Sequence, residues 1–274
     1  MSTIHPRIAV STISTITWQF PQAVELLRDL GVGYVGILYG MIRDDPQAAV
    51  AAMNAAGIAC SNVTGDSLGV NLLDPVDADG SPALRGLKPS LDFAASLGKR
   101  PCYFTTGPTP PRMPTDEAFD RAVANAAPIL AYAKKIGVPL ALEHNNAAHR
   151  DVGFVNTLHH CVEFSQATGI GICLEIQNCW IERDLPRLFR ENMDRITVVQ
   201  VSDYLVGETT RMNRRVLGDG SIPLEWLLGH LLDAGYKGMF EIETLGPAIE
   251  AEGYASAIRR SLDWLNQRLI SWGV

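Results

Sequence analysis

Eight times along this chain a short apolar run gives way to a longer segment whose apolar residues recur at helical spacing. The short runs fall at residues 8–12, 34–38, 58–63, 102–105, 140–143, 172–175, 196–201 and 239–243, and each reads as a buried strand. The helical segments between and after them fall at 21–30, 45–56, 81–97, 115–136, 155–168, 184–191, 223–234 and 249–269. Strict alternation of this kind predicts parallel strands joined by right-handed crossovers. No glycine-rich phosphate fingerprint follows the first strand, so a closed barrel fits better than an open nucleotide-binding sheet. The expected fold is a single (β/α)8 TIM barrel, one domain over residues 1–274. Two local expectations come with it. The helix over 81–97 should break before Pro89. The stretch 64–80, rich in Gly, Asp, Asn and Pro, is a long connection of the kind that carries function.

Four of the predicted strands end in a polar side chain: Glu143, Glu175, Gln200 and Glu243. Strand side chains alternate between faces. Glu143 therefore shares a face with Ala141, Glu175 with Cys173, Gln200 with Val198, and Glu243 with Glu241 and Met239. The intervening residues, among them Leu142, Leu174, Val199 and Ile242, are larger and apolar and suit the face packed on helices. Parity thus directs all four polar side chains to the barrel interior at its carboxyl end, where barrel enzymes place their chemistry. Three carboxylates at close range repel one another, and a divalent cation removes the conflict. Gln200 would add a carbonyl oxygen. An all-oxygen set favours Mg²⁺ or Mn²⁺ over Zn²⁺. One glutamate ending a strand is more often a helix cap or an ion-pair partner than a ligand. Four with the same parity favour the joint site.

Composition narrows the partners. The net charge is −7 with no Lys/Arg cluster, which argues against nucleic acid and anionic membranes. Hydrophobic content of 47% with 19% charged residues fits a soluble globular enzyme. No basic leader with a following apolar run is visible at the start, and no apolar stretch approaches the roughly 20 residues of a membrane span. The five cysteines are scattered without a CxxC pair and read as reduced thiols in a cytoplasmic protein. The expected partner is a small polyhydroxylated molecule, with homo-oligomer formation left open.

From Leu140 onward the segments LALEHN, GICLEIQNCW, VVQVSDY, NRRVLGDGSIPL and GYKGMFEIE resemble the xylose isomerase-like TIM barrel superfamily of sugar isomerases, epimerases and AP endonucleases. The family's fifth- and eighth-strand glutamates fall on Glu143 and Glu243. Its Asp-x-x-His motif falls on Glu175 to Asn178, and its His-x-x-Asp motif on Gln200 to Asp203. The resemblance implies a metal held by Glu143, Glu175, Gln200 and Glu243, with Glu143 and Glu243 as the acid/base pair. The reaction would be proton transfer through a metal-stabilised enediolate, as in sugar isomerisation or epimerisation. Arg214 would hold a substrate oxygen. Asn178, Asp203, Trp18, Tyr39 and His149 are further substrate-binding candidates. The chain departs from the pattern at Glu175, Asn178 and Gln200, which replace an aspartate and two histidines. Gln200 resembles the 3-dehydroshikimate dehydratase branch, so a lyase acting on a polyhydroxy keto compound (that one or a keto-inositol dehydratase) is the alternative. A non-catalytic ligand-binding barrel is the third reading. AP endonuclease activity is disfavoured by the missing histidines.

Overall fold

The computed structural model describes residues 3–66 and 70–274. Its strands are β1 (Ile8–Ser11), β2 (Tyr34–Leu38), β3 (Ala59–Thr64), β4 (Cys102–Phe104), β5 (Leu140–Glu143), β6 (Gly171–Glu175), β7 (Ile196–Val201) and β8 (Phe240–Ile242). They form a closed parallel barrel in chain order. The helices are α1 (Phe20–Asp29), α2 (Pro46–Ala56), α3 (Pro82–Ser96), α4 (Thr115–Ile136), α5 (Leu158–Thr168), α6 (Ile176–Cys179), α7 (Leu185–Asn192), α8 (Leu224–Asp233), α9 (Pro247–Glu252) and α10 (Tyr254–Trp272). Helix starts follow local chemistry. Asp45, Ser81 and Thr157 accept from the backbone N–H three residues on and so cap α2, α3 and α5. α8 is held by Leu224, Leu227, Leu228 and Leu231, all buried at helical spacing. No helix among the described residues is long and apolar enough to cross a membrane.

Two compact units make up the chain, Met1–Ser61 with Val199–Val274, and Asn62–Val198. In the first, β8 pairs with β1 through Ala9↔Glu241 and with the end of β7 through Gln200↔Glu241. The Ser14 hydroxyl accepts from Thr244 N and donates to Ile242 O, which pins the end of β8. In the second, β4, β5 and β6 pair in register. There Tyr103, Ala141, Cys173 and Val198 pack as one buried cluster. Three of these four lie two residues before Glu143, Glu175 and Gln200, and their mutual packing matches the inward parity read from the sequence.

The structure corrects two local expectations. α3 runs unbroken through Pro89. Pro89 and Arg85, whose carbonyl loses its usual N–H partner, are both exposed, while Leu87 and Leu91 are buried and hold the turn. The closing helix is instead two, α9 and α10, separated by Gly253 at φ +93°. Residues 67–69 of the long loop expected over 64–80 lie outside the described residues. All five cysteines are buried, and none forms a disulfide.

Candidate functional site

In the first unit Glu243 lies one residue past the end of β8 and is 5% exposed. Its two carboxylate oxygens have different partners. Arg214 Nη1 reaches Oε1 at 2.8 Å and the Glu243 carbonyl oxygen at 2.7 Å. Gln200 Nε2 donates to Oε2 at 2.5 Å and to Glu241 Oε2 at 3.0 Å. Gln200 and Glu241 are almost fully buried. The structure therefore brings together Gln200, Glu243 and Arg214 from the predicted set, and adds Glu241. Arg214 was expected on substrate, but its guanidinium is on Glu243 and matches that carboxylate's charge. Gln200 was expected to offer a carbonyl oxygen, but its amide nitrogen is what faces the two carboxylates.

Arg214 is delivered by the loop between β7 and α8, and Asp203 organises that loop. Asp203 Oδ1 accepts from Tyr204 N (2.8 Å) and Ile222 N (3.2 Å), and Oδ2 accepts from Gly218 N (2.9 Å) and Gly220 N (3.0 Å). Burial pushes this carboxyl's pKa up, and the four N–H donors oppose the rise. Asp203 was a substrate-binding candidate; its oxygens instead serve the loop backbone. Gly220 is demanded by this packing, because a Cβ there would stand 2.1 Å from Asp203 Oδ1. Farther along, Glu208 accepts from Thr210 N, Asn213 Nδ2 and Arg215 Nη2, which hold its carboxyl down to about 2. Asn213 Oδ1 in turn accepts from Ala248 N in the first turn of α9. The sequence signal for this loop was the Leu-Gly-Asp-Gly run.

In the second unit Glu143 closes β5 and sits 3.5 Å from Asn145 Nδ2. Glu175 closes β6, is fully buried, and accepts from Gln177 N with Oε1, so it also caps α6. Asn178, a substrate candidate, donates to the His144 carbonyl and ties α6 to the end of β5. His149 lies in a short 3-10 turn, Ala147–His149. In the first unit Trp18 packs edge-on against Tyr254 at 5.3 Å, and Tyr39 is buried just after β2. Burial pushes the Cys161 and Cys179 thiols up, which keeps both protonated and unreactive.

His144 follows Glu143, and strand parity directs it toward the helix layer. It is fully buried, neither ring nitrogen has a hydrogen-bond partner, and desolvation lowers its pKa to about 4 from the ordinary 6.5. The folded protein holds it neutral while the unfolded chain takes up a proton as pH falls through 6.5. Its stabilising contribution is therefore complete above about pH 6.5 and is lost as pH falls towards 4, for a total of about 3 kcal/mol. Urea denaturation across this range should show that slope in the wild type and a flatter profile in His144→Leu. Parallel profiles would contradict the assignment.

Chemically, the first unit holds two buried carboxylates on one amide. That concentration of oxygen donors suits a hard divalent cation. The Gln200 N–H groups and Arg214 presently supply the positive charge density such a cation would bring. Among the described residues no group of three or more His, Cys, Asp or Glu side chains stands as a ready metal cluster.

A family model for the xylose isomerase-like TIM barrel matches residues 24–268. Several solved structures share the fold. The 3-keto-D-glucoside 4-epimerase YcjR from E. coli superposes with TM-score 0.77 at 18% identity, covering 95% of this chain and 99% of that one. A D-allulose 3-epimerase from Methylomonas sp. gives 0.78 at 16%, covering 98% and 100%. The IolI protein with a bound zinc atom gives 0.80 at 15%, covering 96% and 98%. No curated protein sequence matches the chain.

Proposed function

Because the chain belongs to the xylose isomerase-like TIM barrel family, we propose that it is a metal-dependent isomerase or epimerase of a sugar or sugar-like polyhydroxy carbonyl compound. The observation that carries this reading is Glu243, a buried carboxylate at the end of β8 held between Gln200 and Arg214. The epimerases among its structural neighbours support the substrate class. Glu143, Glu175, Gln200 and Glu243 would hold one divalent cation, Mn²⁺ or Mg²⁺ in preference to Zn²⁺ by donor type. Once bound, that cation supplies polarisation of the substrate's carbonyl oxygen and so acidifies the adjoining C–H.

Glu143 and Glu243 would exchange the proton at that carbon, one taking it and the other returning it. Arg214 would leave Glu243 Oε1 to bind a substrate oxygen, since a fork of N–H donors serves either oxygen equally well. Asp203 keeps Arg214 in reach through the loop it organises. Gln200 also favours a second reading, in which the same carbanion expels a β-hydroxyl as water and the protein is a lyase. A panel of ketoses and keto-glycosides, assayed by NMR with the protein chelated and then reloaded with Mn²⁺, tests both. A cation-dependent change of configuration is expected. Cation-dependent loss of water would move the assignment to the lyase, and activity unaffected by chelation would contradict both.

A further inference from the structure

Past their last paired residues, β4 and β5 are tied together by the segment 152–155. Gly107 N donates to Val152 O at 3.1 Å, and Asn145 N donates to Val155 O at 2.9 Å. The Thr106 hydroxyl is satisfied twice there, accepting from Phe154 N at 2.9 Å and donating to Gly107 O at 3.1 Å. Thr105, one residue earlier, is 5% exposed, and its Oγ1 is buried with no hydrogen-bond partner among the described residues. Valine has the same shape and would strand no polar atom, so folding alone gives no reason for a threonine at this position.

Its place in the second unit supplies one. β4 and β5 pair through Tyr103↔Ala141 and Phe104↔Leu142. One step on, the same register sets Thr105 beside Glu143. Parity agrees, because Tyr103 and Ala141 pack in one buried cluster and Thr105 and Glu143 each follow by two residues. Glu143 is partly exposed, so a ligand that reaches its carboxylate comes alongside Thr105. Oγ1 itself is closed to bulk water, and a group admitted there does not compete with solvent. An uncharged O–H that both donates and accepts suits another hydroxyl, whereas a buried ion would need an opposite charge. With Glu143 as an acid/base group of the proposed reaction, on which this assignment rests, we propose that Thr105 is a specificity-determining residue whose hydroxyl pairs with one hydroxyl of the polyhydroxylated substrate. A substrate lacking that hydroxyl leaves Oγ1 stranded and is bound less well.

The test uses Thr105→Val and Thr105→Ser in the full chain, with ketohexoses, ketopentoses and 3-keto-glycosides as probes and Mn²⁺ present. Without a probe, Thr105→Val should leave the urea midpoint at or above that of wild type, raised by as much as about 0.3 M, because the isosteric side chain strands nothing. By calorimetry the same variant should bind the tightest probe about 10- to 100-fold more weakly, and Thr105→Ser should stay within about threefold of wild type. One monodeoxy analogue of that probe should bind wild type more weakly by a similar factor and should bind Thr105→Val and wild type alike. A lowered midpoint in Thr105→Val would show that the hydroxyl serves the fold and overturns the proposal. Probe affinity unchanged in Thr105→Val, or no deoxy analogue that binds the two proteins alike, overturns this assignment alone. Wild-type protein that binds none of the probes overturns the reading of Glu143 along with it.

Discussion

Glu243→Gln is expected to lower turnover by about a thousandfold or more, within the range set by losing a positioned acid/base group. The substitution keeps the shape of the side chain and removes its ability to take a proton. It also disturbs the local network, because one end of the new amide becomes a donor. That donor must face either Arg214 Nη1 or Gln200 Nε2, both donors themselves. A buried donor without an acceptor costs about 1–3 kcal/mol. The loss of a buried pair with Arg214 acts in the same direction. Turnover and unfolding free energy must therefore be measured together. Loss of activity in a protein that still unfolds cooperatively places Glu243 in the chemistry, and retention of a substantial fraction of turnover removes it.

The second large effect is expected at Asp203. Its carboxylate receives four backbone N–H donors drawn from Tyr204 to Ile222. Bonds to a charged acceptor contribute about 1.5–3 kcal/mol each and do not add fully when they share one atom pair. Asp203→Ala should therefore destabilise the protein by about 3–5 kcal/mol. It should also expose the segment around Arg211 to limited proteolysis. Because Arg214 rides on this loop, turnover should fall by about a hundredfold. Asp203→Asn, which keeps one accepting oxygen and turns a donor towards the other pair of N–H groups, should fall between. A variant within about 1 kcal/mol of wild type would show that the loop is held by other contacts, such as the Glu208–Arg215 pair.

Much of the barrel was legible because dense apolar runs carry their own boundaries. Tyr34–Leu38, Leu140–Glu143 and Ile196–Val201 match the sequence reading residue for residue. β8 is shorter than its run, since Met239 and Glu243 lie outside it. Pro89 misled because the sequence does not show that it and Arg85 lie on the exposed side of a helix held by Leu87 and Leu91. The break at Gly253 was hidden by apolar residues that keep helical spacing across it. In the candidate site, parity placed Glu241 inside but could not name its partner. The partner, Gln200, comes from a strand 41 residues away in sequence. Asp203 was a substrate-binding candidate through the His-x-x-Asp match, with a loop cap the equal alternative. Its four donors extend up to 19 residues along the chain, and only the folded loop brings them to one carboxylate. Arg214 was read as a holder of a substrate oxygen, and no local pattern pairs it with Glu243, whose carboxylate it meets only through the folded loop.

Solvent exchange at carbon reports proton transfer by Glu243 directly. The wild-type protein, loaded with Mn²⁺ in D₂O, is incubated with ketohexoses, ketopentoses and 3-keto-glycosides and followed by proton NMR. At least one of these compounds should gain deuterium at the carbon beside its carbonyl, and Glu243→Gln should abolish the gain. Wild-type protein that binds such a compound yet leaves its C–H bonds unexchanged would contradict proton transfer at carbon.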